Sequence, residues 1–165
     1  MVQKDKVYEE TLKYKGFFNY TELYNYCYTW LKEEGYLISE DEYTEKISGE
    51  KEVKLKWKAK KKITDYYRNN IELSWHIIGM TEEEVSVNGK KEKMNKGDLK
   101  IKFEAVLEKD YEENWEKHAF WKFMRGVYDK YIIRTTNDAY EERLINKTIS
   151  FIEEIKAYLN IEGKR

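Results

Sequence analysis

The sequence predicts an α+β fold, an antiparallel sheet with helices on one face. The run from Glu52 to Lys60 places an apolar residue at every second position and a lysine at most of the others. Successive side chains of a strand point to opposite faces, so this run has one apolar and one charged face. Such strands belong to antiparallel sheets with a core on one side and water on the other. After Asp110 the apolar spacing changes to three and four residues, which predicts helices that follow the strands.

The first elements are an edge strand at 6–15, a helix and a second strand at 36–47. Asn19 is the expected N-cap of the helix, because an Asn side chain readily accepts a hydrogen bond from the first turn. Glu22 follows three residues later, a variant of the capping box. Gly35 is expected at the C′ position, where positive φ favours glycine. Acidic residues interrupt the alternation of the second strand.

Two further one-sided strands should pair with each other. The pattern of 51–63 is repeated at 71–77. Trp57 and Trp75 occupy equivalent places, so we expect them on neighbouring strands and on the same buried face. Gly79 is expected to end the second of these strands.

A hairpin and a third one-sided strand complete the predicted sheet. Asn88-Gly89 is the strongest short hairpin signal, because a type I′ turn needs positive φ at both central positions. A further turn is expected at Asn95–Gly97. The alternating run 99–107, which includes Phe103, then forms the last strand.

Two C-terminal helices are predicted, separated by a break at Thr135–Asp138. The apolar stripe of the first, which includes Tyr128, is broader than one sheet face requires, and Trp121 lies off its centre. Part of that surface should contact the second helix, a ligand or a protein partner, including another copy of the chain. The order of elements resembles the helix-grip architecture, in which a curved sheet wraps a long C-terminal helix around a cavity. Such a likeness implies no particular function.

Length, charge and the distribution of apolar residues limit the class of protein to which the chain can belong. A length of 165 residues suits a single domain, residues 1–165. The net charge of −1 gives no overall attraction to nucleic acid, although 38% of the residues are charged. The N-terminus lacks the apolar run of a signal peptide and no apolar stretch is long enough to span a membrane, so the expected location is cytoplasmic.

No catalytic, cofactor or metal motif occurs in the sequence, and we therefore expect a protein that is not an enzyme. His76 and His118 are interpreted as ordinary surface or boundary histidines. Cys27 lies on the apolar stripe of the first helix and is interpreted as a buried core side chain. As the single cysteine, it leaves no internal disulfide and no cysteine-rich metal site.

Four segments of the chain carry a resemblance: LYNYCYTWLKEEGYL, KWKAKKKITDYYRNNIELSWHIIGM, VNGKKEKMNKGDLKIKF and FWKFMRGVYDKYIIR. They resemble a family of small uncharacterised proteins predicted from archaeal genomes. The resemblance runs from about Phe17 to the C-terminus. It implies an archaeal type of cytoplasmic protein and assigns no activity to any residue.

Three functional hypotheses remain open. The first is a non-catalytic binding or structural module that acts through protein contacts, with a partner or a second copy bound by the C-terminal helices. The second is a carrier of a small apolar ligand between the sheet and the C-terminal helix. Its pocket would be lined by Trp57, Trp75, Phe103, Trp121 and Tyr128.

The third hypothesis is nucleic-acid binding through a row of strand lysines: Lys54, Lys56, Lys58 and Lys60. Such a row could follow a phosphate backbone. A solvated sheet face explains the same residues, and it is the favoured interpretation because acidic runs oppose the lysines and no nucleic-acid motif is found.

Overall fold

The computed structural model describes residues 2–48, 50–109 and 133–163, together with Phe123 and Val127. Its described elements occur in the order β1 (Gln3–Phe18), α1 (Tyr20–Glu33), β2 (Leu37–Ser48), β3 (Glu50–Lys62), β4 (Tyr67–Val87), β5 (Lys90–Lys109) and α2 (Ile133–Gly163). The predicted α+β class and the helix after the first strand are confirmed.

The five strands form one antiparallel sheet in the order β1-β5-β4-β3-β2. The first strand therefore pairs with the last, and β1 and β2 are the two edges. Because α1 connects these edges, it must cross the width of the sheet. Its 14 residues extend roughly 21 Å, which matches the roughly 19 Å across four strand spacings.

Aromatic side chains hold the two helices against one face of the sheet. Trp57 of β3 and Trp75 of β4 are buried with ring centroids 5.5 Å apart. This confirms that they lie on neighbouring strands and point to the same face. Phe151 of α2 meets Phe103 of β5 edge-on at 5.7 Å and stacks on Trp30 of α1 at 4.2 Å.

Both predicted ends of α1 are confirmed. The Asn19 side chain accepts a hydrogen bond of 3.1 Å from the backbone N–H of Glu22. At the other end Gly35 has a φ of +92°. The N–H of Tyr36 donates to the carbonyl of Leu31 at 2.9 Å and that of Gly35 to Lys32 at 3.0 Å, a Schellman motif. Tyr36 consequently turns back under the end of α1.

The predicted strand end at Gly79 and the predicted turn at Asn95–Gly97 are both wrong. β4 continues to Val87 and β5 begins at Lys90, so the two form one long hairpin around Asn88-Gly89, the turn that the sequence does predict. Gly79 (φ +66°) lies at a register shift within β4. Gly97 lies in β5, where an added Cβ would come within 3.1 Å of the Ile78 carbonyl oxygen. Gly79 therefore permits the bulge in β4, and Gly97 permits the close approach of the two strand backbones inside the hairpin.

The predicted break at Thr135–Asp138 is also wrong. The backbone of α2 continues through these residues, and the described C-terminal part contains one helix where two were predicted. Thr, Asn and Asp are only modestly unfavourable in helices and no proline is present, so packing of the long apolar stripe outweighs them. Most of the first predicted helix, including Trp121 and Tyr128, lies outside the described residues.

We predict that Trp57→Ala or Trp75→Ala lowers the free energy of unfolding by about 3–5 kcal/mol, because each leaves a cavity in a closely packed core. Urea denaturation measures the effect. The matched control is Leu37→Ala, whose side chain is 78% exposed and should change stability by less than about 0.5 kcal/mol. Losses of similar size in all three variants would contradict the packing described here.

Candidate functional site

A cleft of about 530 Å³ opens where α2 passes over the beginning of β4 and the end of β3. We call it the α2 cleft. Its walls come from the C-terminal end of α1, from the sheet and from one face of α2. It is lined by Glu34, Tyr36, Lys61, Ile63, Asn69, Tyr140, Arg143, Leu144, Asn146, Lys147 and Ser150.

The base of the α2 cleft is a buried phenol beside a buried amide. The Schellman motif at the end of α1 directs Tyr36 inward, where it is 5% exposed. Burial raises the pKa of Tyr36 to about 12, partly offset by a hydrogen bond from the Asn69 side chain to its hydroxyl oxygen. Asn69 occupies the same face of β4 as Ile71 and Leu73, so it continues the core row into the cleft.

The carboxamide oxygen of Asn69 is buried and accepts no hydrogen bond within the described part of the chain. An amide oxygen has two lone pairs, and leaving a buried acceptor unsatisfied costs roughly 1–3 kcal/mol. The residue Asn69 lines the cleft, but this oxygen is closed to solvent, so a ligand N–H or O–H group would reach it only after a rotation of the side chain. Asn69 is therefore the candidate recognition element at the base of the cleft.

Cationic side chains surround the opening of the α2 cleft. The Lys61 ammonium lies 5.8 Å from the centroid of the Tyr36 ring, and the Arg143 guanidinium lies 5.8 Å from the centroid of the Tyr140 ring. Lys147 is paired with Glu34 at 3.3 Å. Among the described lining residues there are thus three cations and one acid, which favours a ligand with negative charge.

Of the five side chains predicted to line a ligand pocket, the three that the structure describes do not line this cleft. Trp57, Trp75 and Phe103 are fully or almost fully buried in the core. Trp121 and Tyr128 lie outside the described residues. The missed residues Lys61 and Asn69 do leave a signal in the sequence, because each places a polar side chain where the alternation of its strand calls for an apolar one.

The predicted lysine row lies on the outer face of the sheet, opposite the helices. Lys58 pairs with Asp41 at 3.2 Å, and Lys54 lies 4.0 Å from Glu52. Across the strands, Lys58 faces Glu72. Acids therefore neutralise part of the row formed by Lys54, Lys56, Lys58 and Lys60.

The single histidine and cysteine that the structure describes show no catalytic arrangement. His76 is half-buried on the outer face and contacts Glu52 at 2.9 Å. Cys27 is completely buried, and this burial raises the pKa of its thiol, which disfavours the reactive thiolate. His118 lies outside the described residues.

Two broader searches of the described residues were also negative. No group of three or more His, Cys, Asp or Glu side chains is placed to hold a metal ion. Neither α1 nor α2 combines the length and apolar character that crossing a membrane would require.

No protein-family model, curated protein or solved structure matches the chain. The resemblance to an archaeal protein family accordingly stays a prediction, and so does the cytoplasmic location.

The buried phenol at the base of the cleft predicts a pH dependence of stability. The pKa of Tyr36 rises from 10.0 to about 12 on folding. Between these two pH values the folded state keeps the Tyr36 proton, whereas the unfolded state releases it. The contribution of Tyr36 to the free energy of unfolding is therefore complete below pH 10 and is lost as the pH rises to about 12. We expect Tyr36→Phe to flatten the decline of unfolding free energy across this interval, as measured by urea denaturation. Equal slopes for the variant and the parent protein would contradict the burial of this hydroxyl.

Proposed function

We propose that the protein is a non-catalytic binding protein that holds a small amphipathic organic anion in the α2 cleft. The observation that carries the proposal is the buried acceptor of Asn69 beneath a rim of three cations. The ligand has an apolar or aromatic body, one negatively charged group and one hydrogen-bond donor. This is the carrier hypothesis with its ligand revised from apolar to amphipathic.

Size and lining support a small organic ligand. A volume of about 530 Å³ lies within the range of roughly 300–1,000 Å³ that is typical of ligand pockets. Tyr36, Ile63, Tyr140 and Leu144 supply apolar and aromatic surface, and a few polar groups converge on it. This mixture is characteristic of sites that bind through apolar contact and orient the ligand through hydrogen bonds.

The position of the cleft also supports the proposal. In the helix-grip order, ligands are accommodated between the curved sheet and the C-terminal helix. Here the centre of that interface is filled by Trp57, Trp75, Phe103 and Phe151. The open volume lies at the end of the sheet, where Asn69 and Lys61 replace apolar side chains. The argument from element order is an analogy and adds to the local chemistry without replacing it.

Anilinonaphthalene sulfonate tests the proposal, because it combines an aromatic body, an anionic group and an N–H donor. We expect a saturable fluorescence increase with the folded protein. The double variant Lys61→Met/Arg143→Met should bind about tenfold more weakly, equivalent to about 1.4 kcal/mol, since two cations are lost from the rim. Asn69→Leu should also weaken binding because it removes the amide acceptor.

The matched control removes two lysines that face each other on the outer face of the sheet, Lys13→Met/Lys100→Met. It makes the same change in net charge away from the cleft. Circular dichroism establishes that every variant is folded before dye binding is compared. Equal affinities for the control and the cleft double variant would contradict an anion site in the α2 cleft.

A protein-contact function is the second candidate, supported by Phe123 and Val127. Both residues are helical, and their side chains are 69% and 37% exposed. Large apolar side chains that are exposed in this way favour contact with a second copy of the chain.

Self-association through this pair is tested by light scattering at increasing protein concentration. We expect a mass above that of one chain, and a return to monomer mass in Phe123→Glu, because a charge would be buried in the contact. Lys46→Glu is a surface control. A strict monomer at every concentration would contradict the second candidate.

Nucleic-acid binding through Lys54, Lys56, Lys58 and Lys60 stays a prediction of the sequence. The acids that accompany the row reduce its positive potential and leave it the weakest of the three hypotheses.

A further inference from the structure

The side chains of β2 that face the helices include acids, whereas those of the central strands are mainly apolar. A register shift between Glu40 and Glu42 places Glu40 opposite Trp57, Tyr43 opposite Leu55 and Glu45 opposite Val53. Directly opposed residues of a strand pair point to the same face. Two carboxylates therefore lie on the face that β3 and β4 use for the apolar core.

Tyrosines of α1 complete a pocket around this row. Tyr20 and Tyr24 are one helical turn apart, with ring centroids separated by 6.2 Å. Together with Tyr43 and Glu40 they line a pocket of about 440 Å³, which we call the tyrosine pocket. Thr21 and Asn25 supply the remaining lining. The pocket lies beside the N-terminal half of α1, whereas the α2 cleft lies beyond the C-terminal end of that helix.

The carboxylate of Glu40 forms no ion pair in the part of the chain that the structure describes. Its hydrogen-bond donors are the Tyr24 hydroxyl at 3.4 Å and the Trp57 indole N–H at 3.5 Å, and both are neutral. The next acid of the row, Glu45, differs because Lys51 forms an ion pair with it. Glu45 also accepts a hydrogen bond from the Tyr43 hydroxyl at 2.9 Å, which orients that ring.

The surroundings of Tyr20 disfavour ionisation of its phenol. Burial raises the pKa of this phenol most strongly, and the neighbouring Tyr43, Tyr24 and Glu40 raise it further. Among the described residues, no cation of the chain itself lies over the rings of Tyr20, Tyr24 or Tyr43. A cation from outside would therefore meet no competing cation of the described chain over these rings.

We infer that the tyrosine pocket binds a methylated ammonium group, with the ring faces of Tyr20, Tyr24 and Tyr43 around the cation and Glu40 as its counter-ion. The face of an aromatic ring carries negative electrostatic potential and attracts a cation placed over it. A trimethylammonium group presents its charge through methyl groups, so it gains apolar contact with the rings at the same time. Several aromatic rings together with a carboxylate form the kind of site that recognises such groups.

Choline is the probe, and 3,3-dimethyl-1-butanol is its uncharged counterpart of the same shape. Tyrosine ring resonances are followed by NMR during titration of the full chain. We expect saturable shifts of the Tyr20, Tyr24 and Tyr43 rings with choline and none with dimethylbutanol at the same concentrations. A parallel titration with free trimethyllysine distinguishes a choline-type ligand from a methylated side chain. Equal binding of choline and dimethylbutanol would overturn the inference, because charge would then play no part.

Two variants and one matched control locate the site. Glu40→Gln keeps the shape and should weaken choline binding about fivefold or more, while Tyr43→Ala removes a ring that is 48% exposed and should abolish saturation. Glu42→Gln changes an adjacent acid on the outer face and should bind choline like the parent protein. If Glu40→Gln and Tyr43→Ala both bind normally, the assignment is wrong. Dye binding in the α2 cleft should be unchanged in all three variants. The proposal for the α2 cleft and the inference for the tyrosine pocket are therefore tested independently.

Discussion

The pair formed by Trp57 and Trp75 is the contact on which the rest of the structure depends. These rings lie 5.5 Å apart in the middle of the sheet, and neither is exposed by more than 2%. Tyr24 of α1 meets Trp57 edge-on at 4.8 Å, and Phe151 connects α2 with α1 and β5. Large aromatic side chains bury much apolar area each, so a few of them hold two helices against five strands.

This packing decides where a ligand can bind. Because the centre of the sheet–helix interface is filled, the two candidate sites in the described part of the chain lie where the inward rows of the strands stop being apolar. Asn69 and Lys61 end the rows of β4 and β3 beside α2, and Glu40 and Glu45 replace apolar residues along the edge strand β2. The two candidate sites have opposite electrostatic character, since cations border one and a carboxylate without an ion pair to any described residue borders the other. Each would therefore select a different class of small molecule.

Much of the fold follows from local patterns. Alternation predicted the one-sided strands, and Asn19, Gly35 and Asn88-Gly89 predicted three boundaries, because each meets a local backbone or capping requirement. The errors at Gly79 and Gly97 have a common cause. A glycine in a strand marks either an end or a close approach, and only the neighbouring strand shows which of these applies.

By itself the sequence determined the α+β class, the buried face of each central strand and the burial of Cys27, because these depend on periods of two and 3.6 residues. The tertiary structure decided the pairing of β1 with β5, the continuous helix through Thr135–Asp138 and both candidate sites. Asn69 and Arg143 are distant in the chain, as are Tyr20 and Tyr43, so no local pattern could bring them together. Their proximity follows from the sheet order and from the crossing of α1 between its two edges, which only long-range pairing establishes.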